Sequence, residues 1–288
     1  MQEITTYLAP RRLPEAVQAM AAADATVFCG GTDLAPQTES GVRQYQAKLV
    51  NIRRIEELGG IDTAGHEIRI GATTTVSAIH RHAALAQIAP VLVEAAEHFA
   101  SEQIRNAASV GGNLCNASPA GDLSPPLLVL GAAAELACWR DGAVQTRRVP
   151  LEQFFVGPGK TVRRPDELLT AVVFARPAAD YVCRFRKSGP RPALEISTVS
   201  LAIGARLAGG RLADVRVAMG SVAPTPLRAR HVERALEGKT LDATTIAAAV
   251  AAASQDAKPI DDVRASAWYR GHLVNVFVQE VLDELRPD

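Results

Sequence analysis

Ala108-Ser109-Val110-Gly111-Gly112-Asn113-Leu114-Cys115-Asn116-Ala117-Ser118-Pro119 lies inside a segment, residues 101–122, that is dense in Gly, Asn, Ser and Pro. That composition reads as a long loop, and loops of this length in compact domains are usually functional. A second diglycine, Cys29-Gly30-Gly31-Thr32-Asp33-Leu34, closes the short β-prone run Ala25-Thr26-Val27-Phe28. Adjacent glycines permit positive φ and close approach, so successive amides at both loops can converge on one anion, as backbone nests do without a lysine. Thr32, Ser109, Asn113 and Asn116 add neutral donors. Either diglycine alone is also the mark of a plain turn, and periodicity does not name a ligand.

Working outward, residues 13–20 read as a helix with Pro14 in its first turn, and residues 25–28 and 48–52 as strands, a β-α-β-like opening. Ile68-Arg69-Ile70 alternates as a strand does, and Thr73-Thr74-Thr75 offers capping hydroxyls to a helix running towards Leu85. The helix from Pro90 places Leu92, Ala95, Ala96 and Phe99 on one face. An apolar element over 127–136 and a hairpin at Asp141-Gly142 extend a sheet, and Pro177-Ala178-Ala179-Asp180 marks a domain boundary. Beyond it, residues 181–186, 199–207 and 212–222 alternate as an antiparallel sheet, and 227–236, 241–257 and 266–285 read as three helices. The fold class expected is therefore α+β, with domains over 1–177 (subdomains about 1–55 and 56–177) and 178–288.

Composition narrows the function. In 288 residues, 48% are apolar and 22% charged, which disfavours disorder, fibrous repeats and a disulfide scaffold. Lys plus Arg equals Asp plus Glu at 31 each, so no global field draws in nucleic acid or an anionic membrane. Cys29, Cys115, Cys138 and Cys183 form no C-x-x-C pair, which argues against a metal or iron–sulfur site held by this chain. The N-terminus has no leader-like pattern, and the apolar run 127–139 is short and contains Glu135, so a cytoplasmic protein without a membrane anchor is expected. No G-x-G-x-x-G follows a strand, Gly159-Lys160-Thr161 lacks the glycine a P-loop needs, and no G-x-S-x-G occurs.

The two loops together resemble the FAD-binding medium subunit of molybdenum hydroxylases, a family that includes flavin subunits of aerobic carbon monoxide dehydrogenase, 4-hydroxybenzoyl-CoA reductase and bacterial xanthine dehydrogenases. Cys29-Gly30-Gly31-Thr32-Asp33-Leu34-Ala35-Pro36 is similar to its A-G-G-T-D-L-x-P loop, with Cys at a position where Ala is common. Residues 105–122 are similar to its R-N-x-A-T-x-G-G-N-x-x-x-A-S-P-x-x-D stretch. Phe185-Arg186-Lys187-Ser188-Gly189-Pro190-Arg191 and Ala267-Trp268-Tyr269-Arg270-Gly271-His272-Leu273 agree as well, so the likeness spans nearly the whole chain. The cysteine-rich insertion of the 4-hydroxybenzoyl-CoA reductase flavin subunit is missing, which disfavours that subfamily.

The resemblance implies a flavin-binding domain of two α/β subdomains, of vanillyl-alcohol-oxidase type, followed by a three-stranded antiparallel sheet with a three-helix bundle. It implies non-covalent FAD held by Cys29, Gly30, Gly31, Thr32, Asp33 and Leu34, with Ser109, Gly111, Gly112, Asn113, Cys115 and Asn116 completing the cradle. Asp122 would bond the ribityl or ribose region, Leu168 would pack on the flavin side, and Lys187 would stabilise the anionic reduced flavin. The implied partners are a large subunit carrying the molybdenum cofactor and a small subunit carrying [2Fe–2S] clusters, as a dimer of heterotrimers; this chain would pass their electrons to NAD⁺, O₂ or a quinone. A self-contained FAD oxidase of a small molecule is the rival reading, and such enzymes often tether the flavin through His or Cys.

Overall fold

The computed structural model describes residues 3–191 and 195–286. The chain opens with β1 (Thr6–Leu8), α1 (Leu13–Ala19), β2 (Ala25–Phe28), α2 (Leu34–Glu39) and β3 (Lys48–Asn51), in a parallel sheet of order β1-β3-β2. Ala16 and Val17 of α1 and Met20 just after it are buried with Val50, Ile55 and Leu58, in a core that Ala137 and Leu168 complete from later in the chain.

The second layer runs through β4 (Ile61–Asp62), β5 (Glu67–Gly71), α3 (Val76–His80), α4 (Ala83–Ile88), α5 (Pro90–Glu97), α6 (Glu102–Ala107), α7 (Val110–Asn116), α8 (Ser124–Val129), β6 (Ala133–Arg140), β7 (Ala143–Pro150), β8 (Phe155–Gly157), β9 (Lys160–Thr161) and β10 (Leu168–Ala175). Its main sheet is antiparallel in the order β4-β5-β10-β6-β7. Two expectations change here. The helix expected to run from Val76 towards Leu85 breaks, because His82 caps a new helix by accepting the Leu85 N–H on Nδ1 at 3.1 Å. The expected long loop over 101–122 holds two short helices, because Ser101 and Ser109 each accept an amide three residues on, from Ile104 and Gly112. Serine in a Gly/Asn-rich segment is as good a cap as a turn residue, and composition alone does not separate the two.

The C-terminal part comprises β11 (Tyr181–Ser188), β12 (Val199–Ala208), β13 (Arg211–Gly220), β14 (Leu227–Arg228), α9 (Arg230–Leu236), α10 (Ala243–Asp256) and α11 (Ala267–Leu285). To the three expected strands the structure adds the two-residue edge β14, so the helix expected from Leu227 begins at Arg230. One face of this sheet packs on α9–α11, with Leu201, Ile203 and Val217 fully buried against Val232, Val278 and Val281. The other face sends Cys183, Phe185, Ala202 and Ala218 into the core built around α5 and α8. The junction after Pro177 is thus a shared apolar interface.

Candidate functional site

The chain leaves β2 at Phe28 and turns through residues 29–33 into α2. Gly31 sits at φ +72, where an L side chain is strained, and an added Cβ would lie 2.7 Å from the Phe28 ring. At Gly30 a Cβ would lie 1.9 Å from the Ala107 carbonyl oxygen, so this loop rests backbone to backbone on the end of α6. Among the described residues, no protein acceptor meets the N–H groups of Gly30, Gly31, Thr32 and Asp33. Four consecutive unspent donors form an anion-receptive strip.

The second diglycine is built differently. Gly111 and Gly112 lie in the first turn of α7, neither at positive φ. Val110 and Gly111 donate to the carbonyls of Thr74 (3.0 Å) and Ala72 (2.9 Å), Gly112 to Ser109 Oγ (3.1 Å) and Asn113 to the Ser109 carbonyl (3.0 Å). These amides are consumed by the fold, which corrects the expectation that both loops present free N–H groups. What α7 offers instead is polar side chains and space. Asn113 Oδ1 is buried without a hydrogen-bond partner. Asn116 Oδ1 accepts from Gln37 Nε2 at 2.9 Å, which fixes the orientation of its amide. A Cβ on Gly112 would touch only Ser109 Oγ, at 3.1 Å, so its outer side is open.

Between the loops lies a cavity of about 600 Å³, lined by Cys29, the 30–34 turn, Ser109, Gly111, Gly112, Asn113, Cys115, Asn116 and Leu168. A second cavity, about 530 Å³, shares Thr32, Asp33, Phe99, Asn113 and Asn116 with it and takes its far wall from Ile196, Ser197, Ile260 and Arg270. The shared residues form a polar waist between two chambers. Burial pushes the Asp33 carboxyl up, and the Arg43 charge partly offsets this. Burial also pushes the Cys115 thiol up against the pull of Arg163 and Arg43, which keeps it a poor nucleophile.

Asp122 and Lys187 stand apart from the rest of the expected set. Asp122 lines the second cavity, whereas Lys187 lines neither. Lys187 is almost wholly buried, with its Nζ 2.7 Å from Asp122 Oδ2 and 2.8 Å from the His98 carbonyl oxygen. Ser197 Oγ donates to the other Asp122 oxygen. Burial drives the Asp122 carboxyl up, opposed by Lys187 and Ser197. The structure therefore spends the Lys187 charge on a buried carboxylate that needs it, and the pair straps β11 to the segment before α8.

Sequence reasoning missed Gln37, Arg43, Lys160, Arg163 and Glu167. The 600 Å³ cavity includes Arg43, Lys160, Arg163 and Glu167 in its wall. Arginines are too numerous here for any one to stand out, and Gly159-Lys160, weighed as a phosphate loop, turns out to be a hairpin tip. Glu167 is buried and accepts from Arg147 Nε (2.6 Å) and Nη2 (2.8 Å) and from the Arg164 N–H (2.7 Å). Burial disfavours its ionisation, but these donors outweigh it and hold the carboxyl below its ordinary range.

A family model described as the FAD binding domain in molybdopterin dehydrogenase matches residues 2–177, and the CO dehydrogenase flavoprotein C-terminal domain matches 184–285. The chain belongs to the FAD-binding medium subunits of molybdenum hydroxylases. It is 32% identical over 287 residues to the xanthine dehydrogenase FAD-binding subunit of Escherichia coli O157:H7, covering 99% of this chain and 97% of that one. It is 29% identical to the carbon monoxide dehydrogenase medium chain of Afipia carboxidovorans over 97% of this chain and 96% of that one. The fold matches a solved chain of carbon monoxide dehydrogenase from Hydrogenophaga pseudoflava with a TM-score of 0.91 at 29% identity, covering 98% and 97% of the two chains. As a member of this family it is an FAD-dependent oxidoreductase subunit. Its site fits that cofactor: two joined chambers suit a dinucleotide with a ring system at each end, and the waist between them carries unspent amides and the orphaned Asn113 oxygen.

No helix among the described residues is long and apolar enough to cross a membrane.

Proposed function

We propose that this chain is the electron-transfer subunit of a molybdenum hydroxylase complex, working as a dimer of heterotrimers in the cytoplasm with a large molybdenum-cofactor subunit and a small [2Fe–2S] subunit. When bound, FAD supplies the two-electron store that takes electrons one at a time from the clusters and passes them to an external acceptor. The carrying observation is the run of four unspent amides at Gly30–Asp33, which lines the 600 Å³ chamber and reaches the second at Thr32 and Asp33. In this reading the 30–34 turn holds the pyrophosphate, Asn113 and Asn116 orient it from α7, and Gly112 leaves room for it. Leu168 and Phe99 give the chambers apolar walls that exclude water. The Asp122–Lys187 pair acts as a strap that fixes the far chamber, and Lys187 is a positioning residue. We place the unit boundary at 177/178, with the first unit divided near residue 55; the separate three-stranded parallel sheet before that residue supports the inner division.

The test is the visible spectrum of the purified chain, followed by acid precipitation and identification of the released chromophore. FAD in the supernatant supports this reading. A yellow pellet would indicate a tethered flavin and favour the self-contained oxidase, and colourless protein that takes up no FAD would overturn the site. Purification with tagged partners should yield a mass of two copies of each subunit.

A further inference from the structure

The 600 Å³ cavity contains three cations that form no close ion pair with a carboxylate among the described residues: Arg43, Lys160 and Arg163; Arg43 acts only at longer range, on Asp33 in the same lining. Neither the Arg43 guanidinium nor the Lys160 ammonium makes a hydrogen bond to a described residue, and Arg163 spends only Nη1, on the carbonyls of Arg164 (3.1 Å) and Glu167 (2.6 Å). Two carboxylates share the lining: Asp33, and Glu167, which is committed to Arg147 and Arg164. Arg43 follows α2 and Arg163 follows β9, so arginines from opposite ends of the first unit line one cavity.

Their supports are preformed. The Arg43 N–H donates to the Gln37 carbonyl at 3.0 Å, and Gln37 in turn holds Asn116. Lys160 follows Gly159, whose N–H donates to the carbonyl of Ala117 at 2.9 Å. The main chain that carries both cations is thereby tied to the C-terminal end of α7, so only the side chains have to be ordered when a ligand binds. A ligand that covers these unpaired cations takes them out of water, which is favourable only if it brings negative charge. Guanidinium and ammonium groups match phosphate oxygens, the former in bidentate fashion.

We propose that Arg43, Lys160 and Arg163 form a diphosphate clamp for the ADP half of FAD, and that this clamp sets cofactor affinity and the preference for a diphosphate over a monophosphate flavin. The proposal rests on the FAD reading above and deepens it. It is tested on the full chain stripped of flavin, by fluorescence titration with FAD and FMN at low and high salt, with ADP as competitor. Wild type should bind FAD more tightly than FMN, lose affinity as salt rises, and release FAD to ADP. Arg43→Gln and Lys160→Gln should each raise the FAD Kd about tenfold, flatten the salt dependence and leave the thermal melt unchanged, because both side chains are exposed and unpaired. Lys160→Arg should restore binding. Variants with wild-type Kd and salt dependence, or ADP that fails to compete against bound FAD, would overturn the clamp while leaving the FAD reading intact. Wild type that takes up no FAD would overturn both.

Discussion

Two diglycines face each other across one cavity, and they solve opposite problems. Gly30-Gly31 leaves its amides, and those of Thr32 and Asp33, without protein acceptors. Gly111-Gly112 gives every amide to the fold, and its glycines serve closeness: Gly111 sits against the Ala72 carbonyl, and Gly112 opens towards the cavity. The same dipeptide thus supplies donors on one side and space on the other. Backbone that ends a strand and has not yet entered a helix has no ladder to satisfy its N–H groups, whereas the first turn of α7 is stitched to the 72–74 segment.

That contrast can be broken by substitution. The largest effect is expected from Gly30→Ala, whose Cβ meets backbone at 1.9 Å and forces the loop off α6; thermal or urea unfolding should show a loss of about 3 kcal/mol, with flavin content falling. Gly111→Ala, at 2.7 Å from the Ala72 carbonyl, should cost about 2 kcal/mol in the same assay. Wild-type stability in either variant would mean that the close approaches are slack. Ser109→Ala removes the cap of α7 and frees the Gly112 amide, so a loss of about 1 kcal/mol is expected in urea unfolding.

The wall beside Arg163 adds a pH test. The Glu167 carboxyl lies below its unfolded value, so its contribution is complete above the ordinary glutamate range and is lost as pH falls through the lowered value. Glu167→Gln should flatten that acid limb by somewhat under about 1 kcal/mol, since Arg147 is partly solvated; an unchanged limb would show that the pair is not coupled to folding. Gly112→Val should have the smallest effect on stability, within about 0.5 kcal/mol, yet abolish flavin binding by filling the chamber. A stable Gly112→Val protein with full flavin content would refute the spatial role assigned to this glycine.

Much of this site was legible in the residues. The diglycines, their order and their polar neighbours carried the family resemblance, and thirteen of the fifteen residues chosen from it line one cavity. Asp122 and Lys187 are the exceptions, and the reason is electrostatic: a lysine in a basic strand reads as available charge until its partner, 65 residues away, is seen to claim it. The helices inside 101–122 were hidden because serine caps and serine turns share one composition. Arg43 and Arg163 gave no local signal, and Lys160 only that of an incomplete phosphate loop, since their role depends on ion pairs that the fold leaves unmade.

What the sequence determined by itself was periodicity, the glycines that only an unencumbered backbone can use, and the overall balance of charge. The tertiary structure decided which amides stay free and which cations stay unpaired. Hydrogen bonds and ion pairs are contracts between residues far apart in the chain, and a donor or a charge is available to a ligand only when the fold has not already spent it.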